Sequence, residues 1–202
     1  MIDRVRYLLG VLNVIVLPPG LLFWFVIHPW ARGWRRLGPT RTYLIVLPLL
    51  VTLAAVLFRV RERLLGADLG RNRGLISLAL VLYAVTTWLE FQYWRHLSIP
   101  TLVGIPELSR AEPRNGKLLK GGVYGAGRHP RYLSAGIGVV GNALVINHVG
   151  MYGLILLLFP LGFVMLRFEE RELANRFGEE YRQYQREVPQ LIPRLHRAKR
   201  AS

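Results

Sequence analysis

Five apolar stretches, at roughly residues 7–27, 42–58, 74–94, 132–148 and 150–168, each approach the ~20 residues needed to cross a bilayer core. That pattern leaves few folds open, because backbone polar groups in hydrocarbon must be satisfied within the protein itself. The expected fold is all-α: a polytopic membrane protein of about five transmembrane helices plus a C-terminal amphipathic helix. Residues 1–202 read as a single membrane domain, with three N-terminal spans in 1–94. The second half, 95–202, then comprises a long linker, a helical hairpin at 132–168 and a tail helix at 169–188.

Composition supports a membrane chain. Apolar residues make up 52% of the sequence, yet 27 Lys and Arg against 12 Asp and Glu give a formal charge of +15. Such basicity in a soluble protein would suggest nucleic-acid binding, which concentrates charge on one face. Here the charges sit between apolar runs, so no nucleic-acid partner is expected. With five spans, the first loop, the 95–131 linker and the tail share one side and hold 4, 7 and 9 Lys/Arg. The N-terminus and the 59–73 loop hold 2 and 5 on the other. The positive-inside rule puts the linker and tail in the cytoplasm and the N-terminus outside. The start, Met1 to Arg6, leads into an apolar run too long for a signal-peptide core and reads as the first span. A prokaryotic inner (plasma) membrane is the expected location.

Within the spans, Pro18-Pro19-Gly20 is expected to kink or interrupt the first helix, with milder effects at Pro48 and Pro160. Asn147 to Gly150 is short enough to make the last two spans a tight hairpin. Ser134, Gly138 and Gly141 share one face of the fourth span and permit close helix packing. In the tail, Leu173, Phe177, Tyr181, Tyr184 and Val188 recur at helical spacing until Pro189 and Pro193 end the pattern. That stripe suits a helix resting on headgroups equally well as a lid over the linker.

The chain has no cysteine, which excludes thiol catalysis, disulfides and thiolate metal sites. His28, His96, His148 and His196 lack metal-ligand spacing, so no metal is expected. Two polar clusters remain. The first is Gly122–Tyr132, where Pro130 suits a first helical turn and His129 sits near the N-cap. Free backbone donors and the helix dipole favour an anion there, with Arg128 and Arg131 assisting. Interface anchoring by the two arginines fits the spacing equally well. The second cluster, Glu169-Glu170 between Arg167 and Arg171, reads as surface ion pairs or as carboxylates for a cofactor's hydroxyl or ammonium groups. Gly121, Gly122, Gly125 and Gly127 faintly suggest a nucleotide loop, but no βαβ unit surrounds them.

Taken together, Gly122-Val-Tyr124, Arg128-His-Pro-x-Tyr132, Glu169-Glu170-x-x-Leu173, Phe177-Gly-Glu-Glu-Tyr181-x-x-Tyr184 and Val188-Pro189 resemble the isoprenylcysteine carboxyl methyltransferase family. The phospholipid N-methyltransferases share its C-terminal half. The resemblance covers roughly residues 105–193. It implies a multi-span helical enzyme that uses S-adenosylmethionine at the cytoplasmic face without a Rossmann domain. The cofactor-binding positions it implies are Lys117, Leu118 and Leu119 (mainly backbone), Tyr124, His129, Pro130, Arg131, Tyr132, Glu169 and Glu170. Where the prenylcysteine enzymes carry an acceptor-facing Arg four residues before the Glu, this chain has Met165. Arg128 or Arg167 is then the candidate to orient the acceptor. The implied partners are membrane lipids and a lipophilic or lipid-linked acceptor, with a carboxylate favoured. An amine acceptor, a nicotinamide-dependent membrane reductase and a non-enzymatic protein of the same fold are the alternatives.

Overall fold

The computed structural model describes residues 1–94 and 118–192, and Lys117 lies outside the described residues. Nine helices are described: α1 Ile2–Ile27, α2 Ala31–Leu37, α3 Pro39–Arg59, α4 Arg61–Leu65, α5 Arg73–Trp94, α6 Val123–Ala126, α7 Pro130–Ile146, α8 Val149–Phe177 and α9 Glu179–Glu187. Among the described residues there is no strand, only an isolated bridge between Asp68 and His148. The chain is all-α, as expected.

Helices α1, α3, α5 and α8 are long and apolar enough to cross a membrane. The segment expected as the fourth span is α7, whose 17 residues cover roughly 25 Å at about 1.5 Å each. That falls short of a ~30 Å hydrocarbon core. The count of about five therefore resolves into four long helices and one shorter one packed among them.

Two expectations need correction. Of the two effects expected at Pro18-Pro19, a kink or an interruption, the interruption does not occur, because α1 runs from Ile2 to Ile27 as one helix with both prolines inside. Each proline removes only its own N–H, and a membrane helix accommodates that loss when the surrounding turns stay bonded. The tail helix expected at 169–188 is not one element either. Its first half is the end of α8, which at 29 residues measures roughly 43 Å and outreaches the bilayer core. Gly178 then adopts φ +60°, a conformation that costs glycine little and other residues much, and α9 starts in a new direction.

Each face of α7 has a partner. Toward α5, the hydroxyl of Thr86 and the backbone of Ser134 approach within 3.4 Å. A Cβ on Gly141 would lie 2.9 Å from the ring of Tyr83, so the small-residue stripe does bring the two helices close. A polar chain crosses the bundle beside it. Tyr83 Oη donates to Asn142 Oδ1 (2.7 Å), Asn142 Nδ2 to Asn13 Oδ1 (2.9 Å), and Asn13 Nδ2 to the Leu9 carbonyl (2.7 Å). It links α5, α7 and α1 with every member bonded. Below it Val11, Val14, Leu65, Ala143, Ile146 and Met151 form the buried apolar cluster.

The bundle has two chemically distinct ends. At one end, Arg6 is only 2% exposed and grips Asp68 through two nitrogens (2.5 and 3.2 Å) and Asp3 (3.2 Å). It also donates to the carbonyls of Val145 (3.2 Å), Ile146 (2.7 Å) and Gly70 (3.1 Å). Those first two are among the carbonyls that the end of α7 leaves without helical partners. Asn147 turns the chain in the left-handed region (φ 49°), and α8 starts two residues later, closing the expected tight hairpin. The opposite end gathers the end of α1, the start of α7 and the end of α8, where His28 meets Glu172 at 2.8 Å.

The Arg6 hydrogen bond holds the Asp68 carboxyl below the usual carboxylate range. A folded-state pKa that is depressed adds stability above the unfolded value and loses it as pH falls through the folded value. Asp68 is 44% exposed at its side chain, so the effect is modest. Asp68→Asn should cost about 1 kcal/mol at pH 7. The deficit should begin to shrink below about pH 4, where the carboxyl protonates in the unfolded chain, and vanish as pH falls through the lower folded-state value. Thermal unfolding in detergent at pH 7 and pH 3 checks this, and an equal deficit at both would refute it.

Candidate functional site

The functional end is built by the start of α7 and the far end of α8. Pro130 opens α7 at a position where its missing N–H costs nothing. The residue before it, His129, is the N-cap but makes no side-chain cap. Its imidazole turns instead toward α8, with Nε2 3.2 Å from Glu170 Oε1. Arg128 donates to the same oxygen from Nε (2.8 Å) and Nη2 (2.6 Å). Its Nη1 donates to the carbonyls of Gln185 (3.0 Å) and Val188. With the Arg128 side chain 9% exposed and that of Glu170 15%, this is a largely buried pair and not a surface anchor. The anion expected at this helix start is thus supplied by the protein.

The chain after α9 docks back onto the same place. Arg128 N–H donates to the Pro189 carbonyl (2.9 Å) and His129 N–H to that of Gln190 (3.0 Å). A Cβ at Gly127 would stand 2.9 Å from the Leu191 carbonyl oxygen, so the approach requires glycine. The tail therefore covers the site, with Tyr184 Oη donating to the Tyr124 carbonyl at 2.5 Å. Burial pushes the Tyr184 hydroxyl up to about 12, and burial followed by the Glu170 charge raises Tyr181 further still. Both shifts favour the neutral phenol.

Two buried polar atoms have no hydrogen-bond partner among the described residues: Glu169 Oε2 and Tyr181 Oη. His129 Nδ1 lies 3.9 Å from the first, beyond hydrogen-bond reach. Buried polar atoms are almost always satisfied, so these two stand out at this end of the bundle as atoms with bonding capacity left over. Tyr132 contributes next to them, its hydroxyl 3.3 Å from Met165 Sδ and its ring edge-on to His129.

The other positions nominated from the sequence fall in different places. Leu118 and Leu119 are half-buried and lead into Lys120, which pairs with Glu180 at 2.9 Å. Arg131 sits 5.6 Å over the Trp24 ring, on the α1 side. Arg167 is exposed, and at about 100° per residue it projects from the side of α8 opposite both Met165 and Glu169.

Sequence reasoning missed one cluster. Glu172, one turn beyond Glu169, receives the Arg35 guanidinium at 2.6 Å and the buried His28 at 2.8 Å. His28 in turn stacks on Trp24 at 5.1 Å. Only the i, i+3 offset from Glu169 to Glu172 could have hinted at it, because Arg35 and His28 lie far away in sequence.

Residues 75–180, just over half of the chain, match the profile of a family described as phospholipid methyltransferase. A cobalt-zinc-cadmium resistance protein of Cupriavidus metallidurans is 31% identical over 83 residues, which is 41% of this chain and 38% of that protein. Methanethiol S-methyltransferase 2 of Bradyrhizobium diazoefficiens is 51% identical over 37 residues, 18% of this chain and 14% of its own. The chain therefore spans well under half the length of these relatives. No solved structure matches it.

Arg128 holds both Glu170 and the 185–190 segment, and removing one member of such a buried pair costs about 3 kcal/mol or more. Arg128→Met should lower the unfolding temperature and speed tryptic cleavage after Arg186. Cleavage at the wild-type rate would show that the tail is held by something else.

Proposed function

This chain belongs to the phospholipid methyltransferase family, and we propose that it transfers a methyl group from S-adenosylmethionine to a lipophilic acceptor held in the bilayer. One observation carries the reading: Glu169 Oε2, buried and unpartnered, next to an Arg128–Glu170–His129 cluster that is already neutralised. A buried lone carboxylate oxygen is costly, and a cationic ligand offsets that cost. S-adenosylmethionine carries such groups. When bound, it supplies a sulfonium-activated methyl carbon, to which the acceptor's lone pair bonds while sulfur keeps the electrons of the breaking bond.

The residues of this chain then have three tasks. Glu169 and the backbone of 118–119 hold the donor. Tyr132 and His129 shape the wall toward Met165, on the side where a lipid would enter between helices. The tail, closed by Arg128 and by Tyr184 on Tyr124, excludes water, so that alignment of the partners supplies most of the acceleration.

For the acceptor, we favour a lipid amine over the carboxylate expected from the resemblance. Position 165 is methionine, Arg128 is committed to Glu170 and two carbonyls, and Arg167 points away. The guanidinium nominated to orient a carboxylate is therefore missing at all three places. An uncharged amine needs no such guanidinium to orient it, and it gains positive charge only as the methyl arrives. The sequence segments expected on the side of the site hold 20 of the 27 Lys and Arg, and we place that side in the cytoplasm, where the donor is made.

Detergent-solubilised protein should bind S-adenosylhomocysteine and not NADPH in calorimetry, and Glu169→Ala should weaken that binding roughly tenfold. Methyl label on lipid extracted from membranes should survive mild base, as an amine does. Base-labile label would restore the carboxylate, and label in a thioether would fit the relationship to the methanethiol enzyme. Binding of NADPH alone would make the chain a reductase, and binding of neither ligand would remove the enzymatic reading.

A further inference from the structure

Glu172 is engaged at both of its oxygens. Oε1 receives Arg35 Nη2 at 2.6 Å, and Oε2 lies 2.8 Å from Nδ1 of His28. The side chains of His28, Glu172 and Arg35 are 4%, 15% and 22% exposed, so the cluster is largely shielded from solvent. An exposed ion pair contributes little, whereas a shielded carboxylate with a donor on each oxygen is held in one place. Two of the three members come from the N-terminal half: His28 caps the end of α1, and Arg35 lies in α2. Both fall outside residues 75–180, the part of the chain that matches the family.

The cluster reaches the candidate site by two routes. Along α8, Glu170 lies about 100° to one side of Glu169, and Glu172 lies about 60° to the other. Arg128 and His129 hold Glu170 from the start of α7, while Arg35 and His28 hold Glu172 from α2 and α1. Glu169 therefore sits between two anchored neighbours, and a helix gripped on both flanks resists rolling about its axis. Phe25 adds an edge contact to Phe168 between α1 and α8. The second route runs through Trp24. His28 stacks on its ring at 5.1 Å and 20°, and the Arg131 guanidinium lies 5.6 Å from the same ring. Arg131 is in the first turn of α7, so the contacts close on themselves. Glu170 joins α7 to α8, Glu172 joins α8 to α1 and α2, and Trp24 joins α1 back to α7.

We infer that His28 and Arg35 are positioning residues of the candidate site, which act through Glu172 to set the rotation of the end of α8 and hence the placement of Glu169. The N-terminal half then supplies a working part of the site as well as spans of the bundle. The inference rests on the proposed function, in which Glu169 holds the donor.

The test uses Arg35→Gln and Arg35→Lys in the full chain, each alone and combined with Glu169→Ala. Affinity for S-adenosylhomocysteine is measured by calorimetry well below the unfolding temperature of each variant. Arg35→Gln should lose roughly fivefold, and Arg35→Lys, which keeps the charge, should recover most of that loss. Because Arg35 acts through Glu169, Arg35→Gln should cost nothing further once Glu169 is alanine. Glu172→Gln, which nearly keeps the volume of its side chain, should repeat the pattern and replaces Arg35→Gln if that variant does not fold. A lowered unfolding temperature with unchanged affinity would make the cluster a structural brace only. An undiminished loss beside Glu169→Ala would show an effect that bypasses Glu169. Either result would overturn the positioning role alone, whereas a wild type that binds no S-adenosylhomocysteine would overturn the proposed function together with it.

Discussion

The contact between Arg128 and Glu170 organises everything at the functional end. Taking both charges out of water is expensive, and the cost is offset only because nearly every donor of the guanidinium is used. Two nitrogens go to one carboxylate oxygen and the third to carbonyls of the tail. One side chain thus fixes the start of α7, the end of α8 and the return of 185–190. The same contact takes up Arg128, and the buried Oε2 of Glu169 is left with His129 Nδ1 at 3.9 Å and no hydrogen bond among the described residues. An engaged pair thus stands beside a carboxylate with one buried oxygen unbonded among the described residues.

The opposite end solves a related problem with the same residue type and no vacancy. Arg6 spends its donors on Asp68, Asp3 and three carbonyls, two of which close the end of α7. Among the described residues no buried side-chain polar atom there is left unsatisfied, and that end reads as structure. Between the two, the chain Tyr83–Asn142–Asn13 holds three helices together, and each member is bonded to another. Buried polar groups in a membrane protein are usually treated as functional. In this one the bonded groups hold the bundle, while the two unbonded buried atoms among the described residues lie at the end that carries the candidate site.

Helix continuity shows how local and global signals compete. Pro18-Pro19 is a strong local breaker, yet α1 passes through it, because the surrounding apolar turns have no better way to satisfy their backbone than to stay helical. Gly178 looks innocuous inside the periodic stripe Leu173–Val188, yet it ends α8. The stripe itself was legible and correctly grouped Tyr181 with Tyr184, both buried. That one hydroxyl is bonded and the other is not could not be read from spacing.

What the sequence determined by itself is what depends on local composition: all-helical segments of membrane length, a short hairpin at Asn147, a small-residue face on α7 and two polar clusters at one end of the bundle. Each follows from a run of residues and the solvent that run requires. Tertiary structure alone decided which charges pair. Arg128 and Glu170 are 42 residues apart, Arg35 and Glu172 137 apart, and Arg6 and Asp68 62 apart. With twice as many cations as anions in the chain, sequence leaves many pairings open. Helix packing selects among them, and it is the packing that leaves Glu169 and Tyr181 buried with nothing in the described structure to bond.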